Sequence, residues 1–191
     1  MATPVRGLST RALQAEQTRQ QILETAQRLL TELGYEATSL QMIADEMGLT
    51  KAAVYYHFRA KSDILHAIML PGIQRVKALL DEAEAMRGRR ARIEHLVNGL
   101  VDFLIENRQW AIMASTDPAA AKHSRSDDES VAMRRRVLAL FYGENPTGAQ
   151  RVAYHAALSI PESLPDLQDL TDDELSEALR TTMLRTLRAP A

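Results

Sequence analysis

Cysteine is absent from this chain of 191 residues. Disulfide frameworks, thiol nucleophiles and thiolate metal sites are therefore excluded, and the composition fits a reducing cytoplasm, which is the expected compartment. No apolar run is long enough to span a bilayer. The most hydrophobic stretch, Leu96 to Ile105, is interrupted by Asn98 and Asp102, well short of the ~20 apolar residues a spanning helix needs. The N-terminus has no continuous apolar segment of the signal-peptide kind. No membrane partner is expected. A large excess of one charge is also missing, since the net charge is −2. Residues 1 to 66 hold seven Lys and Arg against seven Asp and Glu, which counts against a coat that holds nucleic acid by charge alone. The five histidines, His57, His66, His95, His123 and His155, form no H-x-x-x-H or H-E-x-x-H pair, and no glycine loop suited to phosphate is present. An enzyme is thus the weakest reading, with no metal and no cofactor expected. His95 lies beside Glu94, but neighbours on a helix point about 100° apart and make no dyad unaided.

What the chain does have is a helix-turn-helix pattern from Ser39 to Lys61, S-L-Q-M-I-A-D-E-M-G-L-T-K-A-A-V-Y-Y-H-F-R-A-K. Leu40, Ile43, Ala44 and Met47 fall on one face of a short helix. Gly48 can close it in the left-handed conformation, and Thr50 suits the N-cap of a second helix. Val54 and Phe58 share the inward side of that second helix, leaving Ala52 and Tyr56 at the centre of its outward face. Lys51 and Tyr55 flank this face on one side, Ala53 and His57 on the other. Short side chains beside longer donors suit an approach to base edges and phosphates. A helical hairpin with two surface tyrosines fits the periodicity as well.

The stretch Thr18 to Leu65 resembles the N-terminal domain of the tetracycline-repressor (TetR) family of bacterial transcription regulators. Its pattern is I-L-x-x-A, then G-Y-x-x-x-S, then I-A-x-x-x-G-L-T-K-x-x-V-Y-x-H-F-x-x-K-x-x-I-L, and every position is filled. The resemblance implies contact with double-stranded DNA through Ser39, Gln41, Thr50, Lys51, Ala52, Tyr55, Tyr56, His57 and Lys61. By chemistry, Gln41 and Lys51 suit adenine and guanine edges and Ala52 a thymine methyl. Lys61 and Tyr55 suit phosphate, and Ser39 is a capping hydroxyl near it. Family members often carry Arg where Gln41 stands.

Around this core the chain reads as all-α, with about nine helices. Residues 1–17, with Arg6 and Arg11, are expected to be a mobile arm whose arginines either reach a minor groove or are merely solvated. Residues 18–61 form the DNA-binding domain, opened by a helix carrying Ile22, Leu23, Ala26, Leu29, Leu30 and Leu33. Residues 62–191 form a larger helical domain. Within it Ser62 to Met86 is one element, expected to kink or break at Pro71-Gly72. Gly88 to Arg92, in the basic run R-G-R-R-A-R that starts at Arg87, reads as a solvated loop and first turn, with a second nucleic-acid patch as the alternative. Ile93 to Ile105 is apolar around most of its circumference and is the expected central strut. A short helical piece holds Trp110, Ala119 to Asp128 reads as a loop, and Glu129 to Tyr142 carries the basic cluster Arg134 to Arg136. That cluster faces either solvent, an anionic ligand or neighbouring acidic side chains. Ala149 to Ile160 is rich in small residues, and Thr171 opens the last helix with a capping box to Glu174.

Leu100, Phe103, Trp110, Met113 and Met133 are adaptable apolar groups that line either a ligand pocket or ordinary core. Ala153, Ala157, Leu175, Leu179 and Met183 lie on helices where the resemblance places a dimer interface; their other use is packing within the chain. The resemblance implies a homodimeric regulator on a near-palindromic operator, a repressor released by a small-molecule effector. A DNA-binding regulator or architectural protein without a ligand is the alternative.

Overall fold

The computed structural model describes residues 10–116 and 128–188, and every regular element among them is helical. Two compact units divide the chain, Met1–Ile68 and Met69–Ala191.

The first unit contains α1 (Thr10–Leu33), α2 (Leu40–Glu46), α3 (Lys51–His57) and the opening turns of α4 (Lys61–Ala85). Ile22, Ala26 and Leu29 of α1 meet Leu40, Ile43 and Ala44 of α2, Val54 of α3, Phe58 and Ile64. Fully burying each Ile, Leu, Val or Phe of this set stabilises the unit by about 1.5–3 kcal/mol. Helix α1 starts at Thr10, earlier than the boundary at Thr18 expected from the sequence. Its buried residues begin only at Ile22, and Leu13 is 48% exposed. A stretch without a buried face carries no periodic signal, although its residues are good helix formers. Arg11, expected in the arm, is an exposed residue of this helix; Arg6 lies outside the described residues.

The second unit holds the remainder of α4, then α5 (Arg89–Glu106), α6 (Arg108–Thr116), α7 (Asp128–Tyr142), α8 (Gly148–Ser159), a 3-10 stretch (Ile160–Leu167) and α9 (Asp172–Leu187). Helix α5 is its strut. It buries Ile93, Leu96, Val97, Gly99 and Val101 and packs most extensively on α9, which also packs on α8. Helix α4 does not break at Pro71. A proline in a helix interior costs about 3 kcal/mol or more, and buried side chains on both sides of it, Ile64 and Leu65 before and Leu79, Leu80 and Ala83 after, hold the helix together. The loop expected from Ala119 falls mainly outside the described residues. Two capping boxes are formed among the described residues of the unit, Thr147 with Gln150 and Thr171 with Glu174.

Arginines tie this unit together. Arg89 donates to the carbonyls of Phe141 (2.7 Å) and Leu187 (3.0 Å) and sits 4.8 Å from the Tyr142 ring centroid. Arg108 donates to Leu167 and Leu170 carbonyls and pairs with Asp172 at 2.9 Å, joining α6 to the start of α9. Arg136 bridges α7 to Asp81 and Glu84 of α4 at 2.5 and 2.8 Å. Of the three possibilities for the basic cluster, Arg136 thus takes the acidic side chains. The Arg136 hydrogen bond holds the Glu84 carboxyl below its ordinary range.

Candidate nucleic-acid interface

The turn between α2 and α3 is built by hydrogen bonds that only a left-handed residue allows. Gly48 lies at φ 64, its N–H donates to Asp45 O at 3.1 Å, and the Leu49 N–H donates to Ala44 O at 2.8 Å. This is a Schellman closure. A Cβ at Gly48 would meet nothing within 4 Å, so the need for glycine is conformational rather than steric. Thr50 then caps α3, its hydroxyl oxygen accepting the Ala53 N–H at 3.2 Å. Ser39 does the same for α2, accepting from Met42 N–H at 3.1 Å. Both hydroxyls keep their own proton for an outside acceptor.

Helix α3 turns Val54 inward, and Phe58 follows it into the core. Lys51, Ala52, Tyr55 and Tyr56 are exposed, Tyr56 at 76%, and His57 is half-buried. The Lys51 ammonium stands 5.6 Å from the centre of the Tyr55 ring, and Tyr56 meets His57 edge to face at 5.1 Å. The exposed Gln41 amide donates to the Asp45 carboxylate at 2.7 Å, leaving one N–H and the carbonyl oxygen for a base edge. Arg28 of α1 binds Glu46 of α2 at 2.5 Å, which braces the pair of helices beneath this surface. Lys61 is different. Its ammonium turns to main-chain carbonyls of the α1–α2 connection, Tyr35, Glu36 and Thr38. Nothing in a linear pattern signals that contact.

The apolar residues proposed as ligand lining are not gathered in the same way. Met113 is buried, whereas Leu100, Phe103, Trp110 and Met133 are half-buried. Met133 packs on the core of the unit. The Phe103 ring lies against α4, where a Cβ at Gly72 would come within 2.7 Å of its tip. A depression of about 500 Å3 is lined by Arg134, His155, Leu158, Ser159 and Glu162, none of them among these five. His95 stands 2.9 Å from Glu82 rather than facing Glu94, without hydrogen-bond alignment.

All five residues nominated for a subunit interface, Ala153, Ala157, Leu175, Leu179 and Met183, are buried inside the unit itself, Ala153 the most exposed of them at 8%. Their faces are already covered by the chain, so they have no surface to offer a mate. The exposed side of α8 carries Val152, His155, Ala156, Leu158 and Ser159 instead, with Val152 69% exposed. Tyr154, between them, is buried and donates its hydroxyl to the Arg134 carbonyl at 2.9 Å; burial pushes this phenol up to about 12.

The pattern of the tetR family of bacterial regulatory proteins matches residues 22–68. Over 55 residues the chain is 46% identical to the HTH-type transcriptional regulator AcrR of Shigella flexneri, a match that spans 29% of this chain and 26% of that protein. The HTH-type transcriptional repressor BepR of Brucella suis is 26% identical over 93% of this chain and 95% of its own length. Among solved structures, the TetR family transcriptional regulator PfmR from Thermus thermophilus superposes with a TM-score of 0.62 at 25% identity, covering 86% of this chain and 97% of that one. The family pattern covers residues 22–68, whereas the likeness in fold to PfmR extends over 86% of the chain. Residues 22–68 of this chain thus carry the pattern of the tetR family of bacterial regulatory proteins.

Proposed function

We propose that this regulator binds a near-palindromic operator as a homodimer, represses transcription there, and is released by a small-molecule effector. The observation that carries the DNA contact is the outward face of α3, where Lys51, Ala52, Tyr55 and Tyr56 are exposed while Val54 and Phe58 are buried. Lys51 and Gln41 read base edges, Ala52 presses on a thymine methyl, and Tyr55, Tyr56, His57, Ser39 and Thr50 donate to phosphates. A seven-residue recognition helix reaches only a few bases, so specific binding calls for two copies about one DNA turn or a multiple apart.

The exposed side of α8, with Val152 and Leu158, and the exposed Ala178, Thr182 and Arg185 of α9 are the surfaces that support dimerisation. The effector is assigned to the Met69–Ala191 unit, where the adaptable groups Leu100, Phe103 and Trp110 are incompletely buried. The test selects duplexes from a randomised pool with the purified protein and measures their affinity. A two-fold symmetric consensus supports the reading, and selection of no sequence overturns it.

A further inference from the structure

Lys61 is the first residue of α4, where the helix dipole disfavours a cation. Its half-buried side chain instead spans back to the connection between α1 and α2. The ammonium donates to the carbonyls of Tyr35 and Thr38, the latter at 2.8 Å, and reaches Glu36 O at 3.5 Å. The Tyr35 ring centroid lies 4.1 Å from the same nitrogen. A lysine has three N–H donors, and all three have a main-chain oxygen before them.

The loop so held is also knotted from inside. Thr38 is 2% exposed, and its hydroxyl donates to Gly34 O at 2.8 Å with Leu29 O at 3.3 Å. The next residues are Ser39, the cap of α2, and Leu40, which enters the core. The carbonyl grip of Lys61 therefore sets where α2 begins, and α2 packs on α3. We propose that Lys61 is a positioning residue for the DNA-reading surface, acting through the Tyr35–Thr38 loop, and is not a phosphate ligand. This rests on the DNA-binding reading above. A phosphate could take the ammonium only by displacing converging carbonyls at a half-buried site, while Lys51 and Arg59 are exposed nearby in sequence and available for that purpose.

The two roles separate by salt dependence. Each phosphate neutralised adds about 0.9 to the slope of log affinity against log salt, and a residue that holds a loop adds nothing. Anisotropy titrations over a KCl series would compare wild type, Lys61→Met and Lys61→Arg on the selected operator duplex and on a random duplex of equal length. Folded fraction would be scored by circular dichroism and used to scale each titration. The expected result for Lys61→Met is an operator affinity lower by about tenfold, on the order of one charge-assisted hydrogen bond, with the slope and the random-duplex affinity unchanged. Lys61→Arg is expected not to restore it, because a planar guanidinium cannot converge its donors on three carbonyls. A slope shallower by about 0.9 with both duplexes weakened alike, full rescue by Arg, or wild-type operator binding by the Met variant would overturn the proposal. So would a loss that disappears after scaling to folded fraction. Wild-type protein that selects no duplex defeats the underlying DNA-binding reading itself, and that outcome needs no variant to be seen.

Discussion

Leu79 of α4 seats its branched end on the bare α-carbon of Gly99 in α5, so closely that a Cβ at Gly99 would lie 2.4 Å from Leu79 Cδ2. Both residues are buried. A missing side chain on one helix thus admits a large one from the other. Gly99→Ala is expected to destabilise the protein, because overpacking costs about 1–3 kcal/mol and the roughly 1 kcal/mol that alanine gains over glycine in a helix interior offsets only part of it. Denaturant unfolding measures the difference. The double variant with Leu79→Ala should lose less than the two single losses added together, and strict additivity would show that the two residues do not share this space.

Lys51→Ala is expected to relax base preference at one operator position by about 1–3 kcal/mol. Competition binding against a set of operator variants gives the answer. Equal weakening on every variant would make Lys51 a phosphate contact only.

On α8 the exposed side and the buried side should respond in opposite ways. Val152→Arg is expected to give a folded monomer that no longer holds the operator, since Val152 is 69% exposed. Leu179→Glu on α9 should instead unfold the Met69–Ala191 unit, because an unpaired carboxylate at a 2% exposed site must be desolvated. Sedimentation velocity and far-ultraviolet circular dichroism on both variants separate these outcomes. A Val152→Arg protein that sediments as a dimer would move the interface off this face.

Acid should weaken the second unit through its arginine-paired carboxylates. Hydrogen bonds from Arg136 and Arg90 lower the Glu84 and Glu94 carboxyls from their ordinary value of 4.5. A group lowered in the folded state contributes its full stability above the unfolded value and loses it as pH falls through the folded one. Melting temperature is therefore expected to be flat above pH 4.5 on this account and to drop below it. Arg136→Gln should lower the plateau and shorten the drop. An unchanged profile in that variant would show that the pairs are too well solvated to matter.

The helix-turn-helix was legible in the sequence because its signals are local. A glycine at the closing position, threonine and serine at the caps, and a four-residue apolar spacing each act within one or two turns of backbone, so Gly48, Thr50 and Ser39 could be read in place. The capping box from Thr171 to Glu174 was legible for the same reason. Periodicity likewise marked Leu175, Leu179 and Met183 as one apolar face, but an apolar stripe states only that something covers it. The tertiary structure decided that the cover is the chain's own core rather than a second copy. Helix α1 before Ile22 went unread because no residue of that stretch is buried. Gly99 and Leu79 lie on separate helices, and Lys61 grips carbonyls more than twenty residues away in the chain. Those relationships come from how helices cross and where a loop's oxygens converge, geometry that residue spacing along one helix does not encode.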